Sequence, residues 1–389
     1  EAYKVCFQSR FGKAKWLEPY TEPTVRQLAK DGTKSVDIVC PGFVGDCLET
    51  LEEIAMEVKA AFVEDGGSSF HYIPCLNDSE VWINGHYLGK RPNGYISFQY
   101  DLTPYIKFGS ARNIIAVKVD NSQQPNSRWY TGSGIYRDVY MVYAQPVHID
   151  LWGVFYTTEQ TGASTNVKIE TNIINTKTRD GSVIPVIVKQ ELFDAVGKKV
   201  ASTVSTSQVT DKNKINQSIK FSNPVLWTLD APYLYTLETT ILSGKELLDK
   251  TTTRVGIRKI NFDANKGFAL NGVSEKLKGV CIHHDAGALG AAVPKEVWQR
   301  RLKILKEMGC NSIRLSHNPQ APFLYDLCDE MGMLVIDEAF DEWEYPKHKW
   351  LTGWNNGVPG LEGSATYFLE WNNRDIKDMV CLFPSVHLI

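Results

Sequence analysis

The sequence predicts a chain of several domains: a short α/β segment, a partial jelly-roll β-sandwich, an immunoglobulin-like β-sandwich and the first half of a TIM barrel. Three observations support this prediction. The 389 residues are enough for two or three domains, and 43% of them are hydrophobic, so each domain can have a core. The hydrophobic periodicity changes twice along the chain. Turn residues are concentrated between the short alternating segments in the middle.

Residues 1–78 are predicted to form the α/β segment. The β-branched run "KSVDIVC" is followed by a helical pattern that Asp46 can cap and Gly66 can end. "FHYIPCL" then closes a β-α-β unit. One face of the helix carries the apolar residues Leu48, Leu51, Ile54, Ala55, Val58 and Phe62.

From Glu80 the pattern changes to short strands separated by turn residues. "EVWINGHYLG" predicts a hairpin with Asn84-Gly85 at its turn. "ISFQYDLT", "NIIAVKVDN" and "GIYRDVYMVY" predict three further strands, so residues 79–145 are expected to form part of a jelly roll. A second all-β run, with "VHIDLWGVFYTT" and "YTLETTILS", predicts an immunoglobulin-like sandwich over residues 146–258.

Residues 259–389 alternate between strand and helix patterns. "KLKGVCIHH", "NSIRLSH", "MLVIDEAF" and "PSVHLI" predict strands, and "PKEVWQRRLKILKEMG", "PQAPFLYDLCDEMG" and "ATYFLEWNNRDIKDMVCL" predict the helices between them. Two of these helices end at Gly309 and Gly332, and polar residues follow each strand, as is typical of parallel β/α units. This region is therefore expected to be the first half of a TIM barrel.

Composition excludes several classes of partner. The net charge of -3 gives no basic surface for nucleic acid or an anionic membrane. No apolar run reaches the roughly 18 residues of a membrane helix. The opening "EAYKVCFQSR" has neither Met nor a signal pattern, so the chain is expected to begin within a longer protein. Eight cysteines without a C-x-x-C pair are expected to be reduced and buried, with no metal or cofactor bound.

Candidate functional residues follow three of the predicted barrel strands. In a β/α barrel the active site lies at the carboxyl ends of the strands. A polar rim that includes tryptophan suits a sugar, because hydroxyl groups need donors and acceptors and the ring faces stack on aromatic side chains. The three groups are His283, His284 and Asp285; Arg314, Ser316, His317 and Asn318; and Asp337, Glu338, Asp341, Glu342 and Trp343.

Some of these residues have structural interpretations as well. Arg314 can neutralise Asp337 or Glu338 between adjacent strands instead of contacting a sugar. His317 precedes Asn-Pro at a strand end, which favours a functional role. Adjacent residues of a strand point to opposite sides, so one of His283 and His284 is expected to face the barrel, and at least one of the two is expected to be structural.

Residues 79–380 resemble glycoside hydrolase family 2, the β-galactosidase family, through "SEVWINGHYLGKRPNGY", "DNSQQPNSRWYTGSGIYRDV", "KGVCIHHDAGALGAA", "LKEMGCNSIRLSHNP" and "LCDEMGMLVIDEAFDEW". The resemblance implies a jelly-roll sugar-binding domain, an immunoglobulin-like sandwich and a TIM barrel. It also implies a retaining mechanism with a Glu acid/base and a Glu nucleophile. Both of these glutamates are expected beyond Ile389, so the chain is expected to be inactive.

The same resemblance implies roles for individual residues. Asp285, Arg314 and His317 would contact the terminal sugar of a β-galactoside, and Glu338 and Glu342 would lie beneath it. Two further residues, from the loop before "GSGIYR", would reach the same pocket, or would instead close one end of the sandwich; these are Asn126 and Arg128.

Residues 5–79 resemble a different family, the C-terminal part of ferrochelatase, through "CFQSRFGKAKWLEPYTEPT", "KSVDIVCPGFVGDCLETLEEIA" and "HYIPCLNDS". Glu49 matches the active-site glutamate of that family. Alternatively, Asp46 and Glu49 form a capping box at the start of the helix, which requires no porphyrin.

The sequence therefore favours a β-galactosidase-type glycosidase fragment, joined near Asp78 to a ferrochelatase-like segment. Three alternatives stay open: metal insertion into protoporphyrin by the first segment, a non-catalytic carbohydrate-binding fragment, and the product of two joined genes. The sequence indicates neither the compartment nor the oligomeric state.

Overall fold

The computed structural model describes residues 6, 19–38, 56–72, 78–120, 134–176, 183–344, 364–382 and 387–388. The first unit is a small α/β segment in which β1 and β2 pair in parallel, with Ser35 opposite Ser69. Its core is formed by Val25, Ala29, Val58, Phe62 and Phe70. The elements are α1 (Thr21–Lys30), β1 (Ser35–Ile38), α2 (Lys59–Glu64) and β2 (Ser69–Tyr72).

This segment has the predicted β-α-β arrangement. The helix α2 ends at Glu64, and Gly66 follows with a φ of 101°, which a glycine adopts without strain. The helix α1, which the sequence analysis did not identify, packs on α2. The predicted cap at Asp46 and the candidate Glu49 lie outside the described residues.

The next unit is a three-stranded antiparallel sheet with the strand order β4-β3-β5. Asn84 and Gly85 both have positive φ values, 51° and 86°, as a type I′ hairpin turn requires. The predicted hairpin is therefore confirmed. The strands are β3 (Asp78–Ile83), β4 (His86–Arg91) and β5 (Ile115–Asp120).

The prediction of a strand was wrong for two segments of this unit. The first, residues 96–103, pairs with no strand in the described part of the chain, and a turn begins at its end, where Thr103 N–H donates to Asp101 Oδ1 over 2.9 Å and Leu102 O accepts from Tyr105 N–H. The second, residues 134–143, pairs with no strand among the described residues, and Val139, Tyr140 and Tyr143 are exposed. Alternating sequence alone does not make a strand, because a strand also needs a partner, and neither segment has one within the ranges that the structure describes.

An immunoglobulin-like sandwich follows, with the sheets β10-β7-β6 and β12-β11-β8-β9. Alternate residues of these strands face a shared core that includes Ile169, Val188 and Leu237. The predicted sandwich is present. Its strands are β6 (Val147–Thr161), β7 (Ser164–Asn175), β8 (Ile184–Phe193), β9 (Lys199–Val209), β10 (Lys212–Ser222), β11 (Leu234–Ser243) and β12 (Glu246–Gly256). A small antiparallel sheet leads onward, with β13 (Ile260–Asp263), β14 (Gly267–Leu270) and β15 (Val273–Ser274).

The last unit is a parallel sheet in which the strands stand in chain order, β16-β17-β18-β19. Its core lies between the sheet and the helices and includes Trp298, Leu302, Ile313 and Leu324. This arrangement is that of a partial TIM barrel, as predicted. The elements are β16 (Gly279–Ile282), a 3₁₀ turn (Gly287–Leu289), α3 (Lys295–Glu307), β17 (Ser312–Leu315), α4 (Pro322–Met331), β18 (Leu334–Ile336), α5 (Ser364–Leu382) and β19 (His387–Leu388).

The sandwich and the partial barrel meet around Trp227, which is fully buried. Its indole Nε1–H donates to the carbonyl of Asp329 in α4 over 2.8 Å, and the Arg258 guanidinium lies 5.0 Å from the ring centre. Lys306 of α3 donates to Leu229 O over 2.8 Å. The two units therefore share a packed and hydrogen-bonded interface. The domain limits at residues 78, 145 and 258 stay predictions.

None of the described helices is both long enough and apolar enough to cross a membrane.

Two glycines allow a direct test of this interface. Gly309 and Gly332 both follow a barrel helix with positive φ, 89° and 70°. A Cβ on Gly309 would meet nothing within 4 Å, whereas one on Gly332 would lie 2.2 Å from Leu229 O. We expect Gly309→Ala to cost about 1 kcal/mol of stability, from backbone strain alone. Gly332→Ala should cost about 1–3 kcal/mol more, because the sandwich backbone must move.

The measurement is urea unfolding, with amide hydrogen exchange in α4 to locate the loss. Equal losses of stability for the two alanine variants would show that the contact at Leu229 contributes nothing.

Candidate active site at the strand ends

The predicted site residues converge because three parallel strands end at one edge of the sheet. Ile282 of β16 pairs with Leu315 of β17, and Arg314 pairs with Ile336 of β18. The residues that follow each strand therefore lie side by side. This edge brings together residues 283–285, residues 316–318 and residues 337–342.

Glu338 lies at the centre of this edge. Its Oε1 forms an ion pair with Arg314 Nη2, and its Oε2 is 2.6 Å from His317 Nδ1. The Arg314 side chain is 41% exposed, and those of Glu338 and His317 are 21% and 24% exposed. A solute can therefore reach all three. The sequence predicted that Arg314 could pair with either Asp337 or Glu338, and in the structure it pairs with Glu338.

Cys281 extends this group on the other side of Arg314. The strands place Cys281 opposite Arg314, and Nη1 lies 3.4 Å from Sγ. The guanidinium, together with the Ser316 hydroxyl, lowers the pKa of the Cys281 thiol below its ordinary value. The prediction that the cysteines are buried was wrong for Cys281, which is exposed. The apolar run around Cys281 predicts a strand, but it does not predict which of the side chains in that strand face solvent.

The two histidines after β16 point to opposite sides, as predicted. His283 faces the site, with its ring 5.8 Å from that of His317. His284 is buried and packs against Tyr95, which lies between β4 and β5, at 5.1 Å, and against Tyr136, at 6.5 Å. His284 is therefore the structural one of the pair.

Asp285 is partly exposed at the same edge. Its backbone carbonyl accepts a hydrogen bond from Arg301 Nη1 of α3 over 2.8 Å. This contact orients the backbone at Asp285. Asp285 follows β16 directly, at the edge where β17 and β18 also end.

Asp337 has a different environment from its neighbour Glu338. Tyr325 of α4 is buried, and its hydroxyl donates to Asp337 Oδ2 over 2.7 Å and accepts from Gln320 N–H over 3.0 Å. Burial, and then the nearby carboxylate, raise the pKa of Tyr325 well above its ordinary value. Asp337 therefore supports the loop after β17.

The remaining candidates divide into two groups. Glu342 is buried, at 2% exposure, whereas Trp343 is 69% exposed and contacts the Phe368 ring at 6.0 Å. Asn126 and Arg128 lie outside the described residues, as Glu49 does. Within the described part of the chain, no group of three or more His, Cys, Asp or Glu side chains could bind a metal ion.

The low pKa of Cys281 predicts selective alkylation. At pH 7.5 we expect iodoacetamide to modify Cys281 faster than Cys328, whose pKa burial raises well above its ordinary value. Arg314→Met should slow the reaction of Cys281 and raise the midpoint of its pH profile. Peptide mapping by mass spectrometry separates the cysteines, and Arg254→Met is the control. An unchanged midpoint in Arg314→Met would contradict the assigned role of the guanidinium.

Comparison with known proteins identifies two families in the chain. Models of glycosyl hydrolases family 2 match three regions: the sugar binding domain over residues 49–146, the family 2 domain over residues 147–258 and the TIM barrel domain over residues 263–345. The ferrochelatase model matches residues 1–86.

Individual relatives agree with this division. The chain is 46% identical over 306 residues to "Beta-galactosidase BoGH2A" of Bacteroides ovatus, which covers 78% of the chain and 34% of that protein. It is 70% identical over 83 residues to a ferrochelatase of Polaromonas sp., which covers 21% of the chain and 23% of that protein. The chain thus spans about a third or less of the curated relatives that it matches.

A solved structure supports the fold of the larger part. A glycosyl hydrolase family 2 member from Bacteroides cellulosilyticus superposes with a TM-score of 0.72 at 36% identity, over 80% of this chain and 39% of that one. The larger part of the chain, with its three successive domains, belongs to glycoside hydrolase family 2, and the ferrochelatase family accounts for the segment before it.

Proposed function

We propose that the strand-end group binds the terminal sugar of a β-galactoside for retaining hydrolysis by a glycosidase. The observation that supports this most directly is Glu338, whose two oxygens meet Arg314 and His317 at an accessible edge of the barrel. Such a group presents fixed donors and acceptors to neighbouring sugar hydroxyls. The galactoside is proposed because the Bacteroides ovatus relative is a β-galactosidase.

Each residue has a separate role in this proposal. Arg314 and His317 would donate to hydroxyls, and Asp285 would accept from them. Glu338 would orient the Arg314 and His317 side chains, while the buried Glu342 would set the charge beneath the sugar. Asn126 and Arg128 would approach from the sugar-binding domain. Trp343, exposed beside Phe368, offers a surface on which the sugar ring can stack.

Glu338 is suited to binding rather than to proton transfer. A carboxylate that interacts with two donor side chains is already committed to those contacts. A retaining glycosidase also needs two carboxyl groups for the chemical step, about 5–5.5 Å apart across the scissile bond. We therefore assign the described group to recognition of the sugar.

Binding of a simple galactoside tests the proposal. We expect methyl β-D-galactoside to bind with a Kd on the order of 1 mM, which is about the limit for so small a polar ligand. Arg314→Met and His317→Ala should each weaken binding about tenfold or more, through the loss of a hydrogen bond to a sugar hydroxyl. Titration calorimetry or saturation-transfer NMR gives the affinities.

The matched control is His148→Ala. This histidine lies on the sandwich, with Nδ1 2.7 Å from Gln145 O, and should leave the affinity unchanged. Equal binding by the wild type, Arg314→Met and His317→Ala would refute the proposed site. Equal affinity for methyl β-D-glucoside would refute only the choice of galactose as the sugar, and the site itself would stand.

Turnover is a separate prediction. We expect the purified chain to bind nitrophenyl β-galactoside without releasing nitrophenol, because Glu338, the carboxylate at the centre of the site, is committed to Arg314 and His317. Absorbance measured over a day, with a commercial β-galactosidase as positive control, detects slow release. Release that His317→Ala abolishes would contradict the assignment to binding alone.

A further inference from the structure

The contacts of Arg137 extend the site into the sugar-binding domain. We propose that Arg137 is a positioning residue, which sets the loop of residues 316–320 and through it the contact between His317 and Glu338. This inference rests on the proposed function of the same site. Arg137 lies on the sugar-binding domain, whereas the strand-end group that contains His317 and Glu338 lies on the partial barrel.

Arg137 joins three backbone carbonyls of two domains. Its Nη1 donates to Tyr95 O over 2.6 Å and to Gln320 O over 3.2 Å, and its Nη2 donates to Pro319 O over 2.9 Å. Tyr95 belongs to the sugar-binding domain, whereas Pro319 and Gln320 follow the barrel strand β17. One guanidinium group therefore fixes the distance between the two chain segments.

The loop that Arg137 contacts is buried and needs such a donor. Ser316, Asn318 and Gln320 are 2%, 4% and 3% exposed. Buried carbonyls that lack a partner cost free energy, and this loop is not part of a helix or strand ladder. Arg137 supplies hydrogen bonds to the carbonyls of two successive residues there.

The opposite side of the loop is fixed by the barrel itself. The Tyr325 hydroxyl accepts from Gln320 N–H over 3.0 Å and donates to Asp337 over 2.7 Å. Gln320 is therefore held through its N–H by α4 and through its carbonyl by Arg137. His317 lies only two residues before Pro319, so a shift of the loop moves its ring relative to Glu338.

Arginine suits this place better than lysine. The planar guanidinium directs separate N–H groups toward carbonyls that lie in different directions, whereas an ammonium group has one nitrogen. The Arg137 guanidinium also lies 5.3 Å from the centre of the Tyr136 ring, which in turn lies near buried His284. The sugar-binding domain thus contacts the ends of two successive barrel strands.

A purely structural role is the competing explanation. Another interdomain pair joins Arg254 of the sandwich to Glu330, which lies in the last turn of α4, whereas the loop of residues 316–320 precedes the first turn. If Arg137 only joins domains, removing either arginine should have similar effects. If Arg137 positions His317, only its removal should change the surroundings of that ring.

The experiment compares Arg137→Met, Arg137→Lys and Arg254→Met in the full chain. Imidazole ¹H–¹⁵N NMR signals report on His317, assigned by their loss in His317→Gln. We expect Arg137→Met to shift these signals and to raise the Kd for methyl β-D-galactoside about tenfold, with Arg137→Lys in between. Arg254→Met should leave both unchanged, even if it lowers the Tm.

Chemical rescue supplies a second readout. In Arg137→Ala, added methylguanidinium should return the His317 signals toward their wild-type positions, and it should not change them in the wild type. Unshifted His317 signals in Arg137→Met, or equal shifts in Arg254→Met, would overturn the positioning role. Arg137→Lys serves for the comparison if the other variants do not fold.

The two proposals can fail independently. If the wild type binds no galactoside, the proposed function fails, while the His317 signals still decide whether Arg137 positions the ring. If the wild type binds and Arg137→Met binds equally well with unshifted signals, only the role of Arg137 fails.

Discussion

The parallel, in-register pairing of β16, β17 and β18 is the constraint on which the site depends. The carboxyl ends of parallel strands lie at the same edge of a sheet, so residues far apart in sequence meet there. Arg314 lies between Cys281 on one neighbouring strand and Glu338 just after the other. Its charge therefore acts on both, lowering the pKa of the thiol and pairing with the carboxylate.

The surrounding domains stabilise this edge through a few contacts with the barrel backbone. Trp227 and Lys306 join the sandwich to α3 and α4, and Arg137 joins the sugar-binding domain to the loop after β17. Buried Arg91 of β4 pairs with Asp375 of α5 over 2.6 Å and joins the sugar-binding domain to the last barrel helix. Burying such a pair is costly in itself, which suggests that it specifies one arrangement of the two units rather than adding stability.

The chain combines segments of two families whose sheets stay separate. The β1–β2 pair has its own apolar core with α1 and α2, while β3, six residues after β2, pairs only within the next sheet. Among the described residues, neither sheet therefore pairs with a strand of the other. The order of domains after this point is the order found in glycoside hydrolase family 2.

The sequence by itself determined the classes of the domains, the hairpin at Asn84-Gly85 and most of the helices and strands of the barrel. The signals for these elements are local: the period of the hydrophobic residues, the turn residues, and the glycines after α3 and α4. The sequence also identified the strand-end residues. Only the tertiary structure decided that residues 134–143 are not a strand, that Cys281 is exposed beside Arg314, and that Arg137 contacts residues 319 and 320. Pairing partners, exposure and contacts between domains depend on residues distant in sequence, and no local pattern records them.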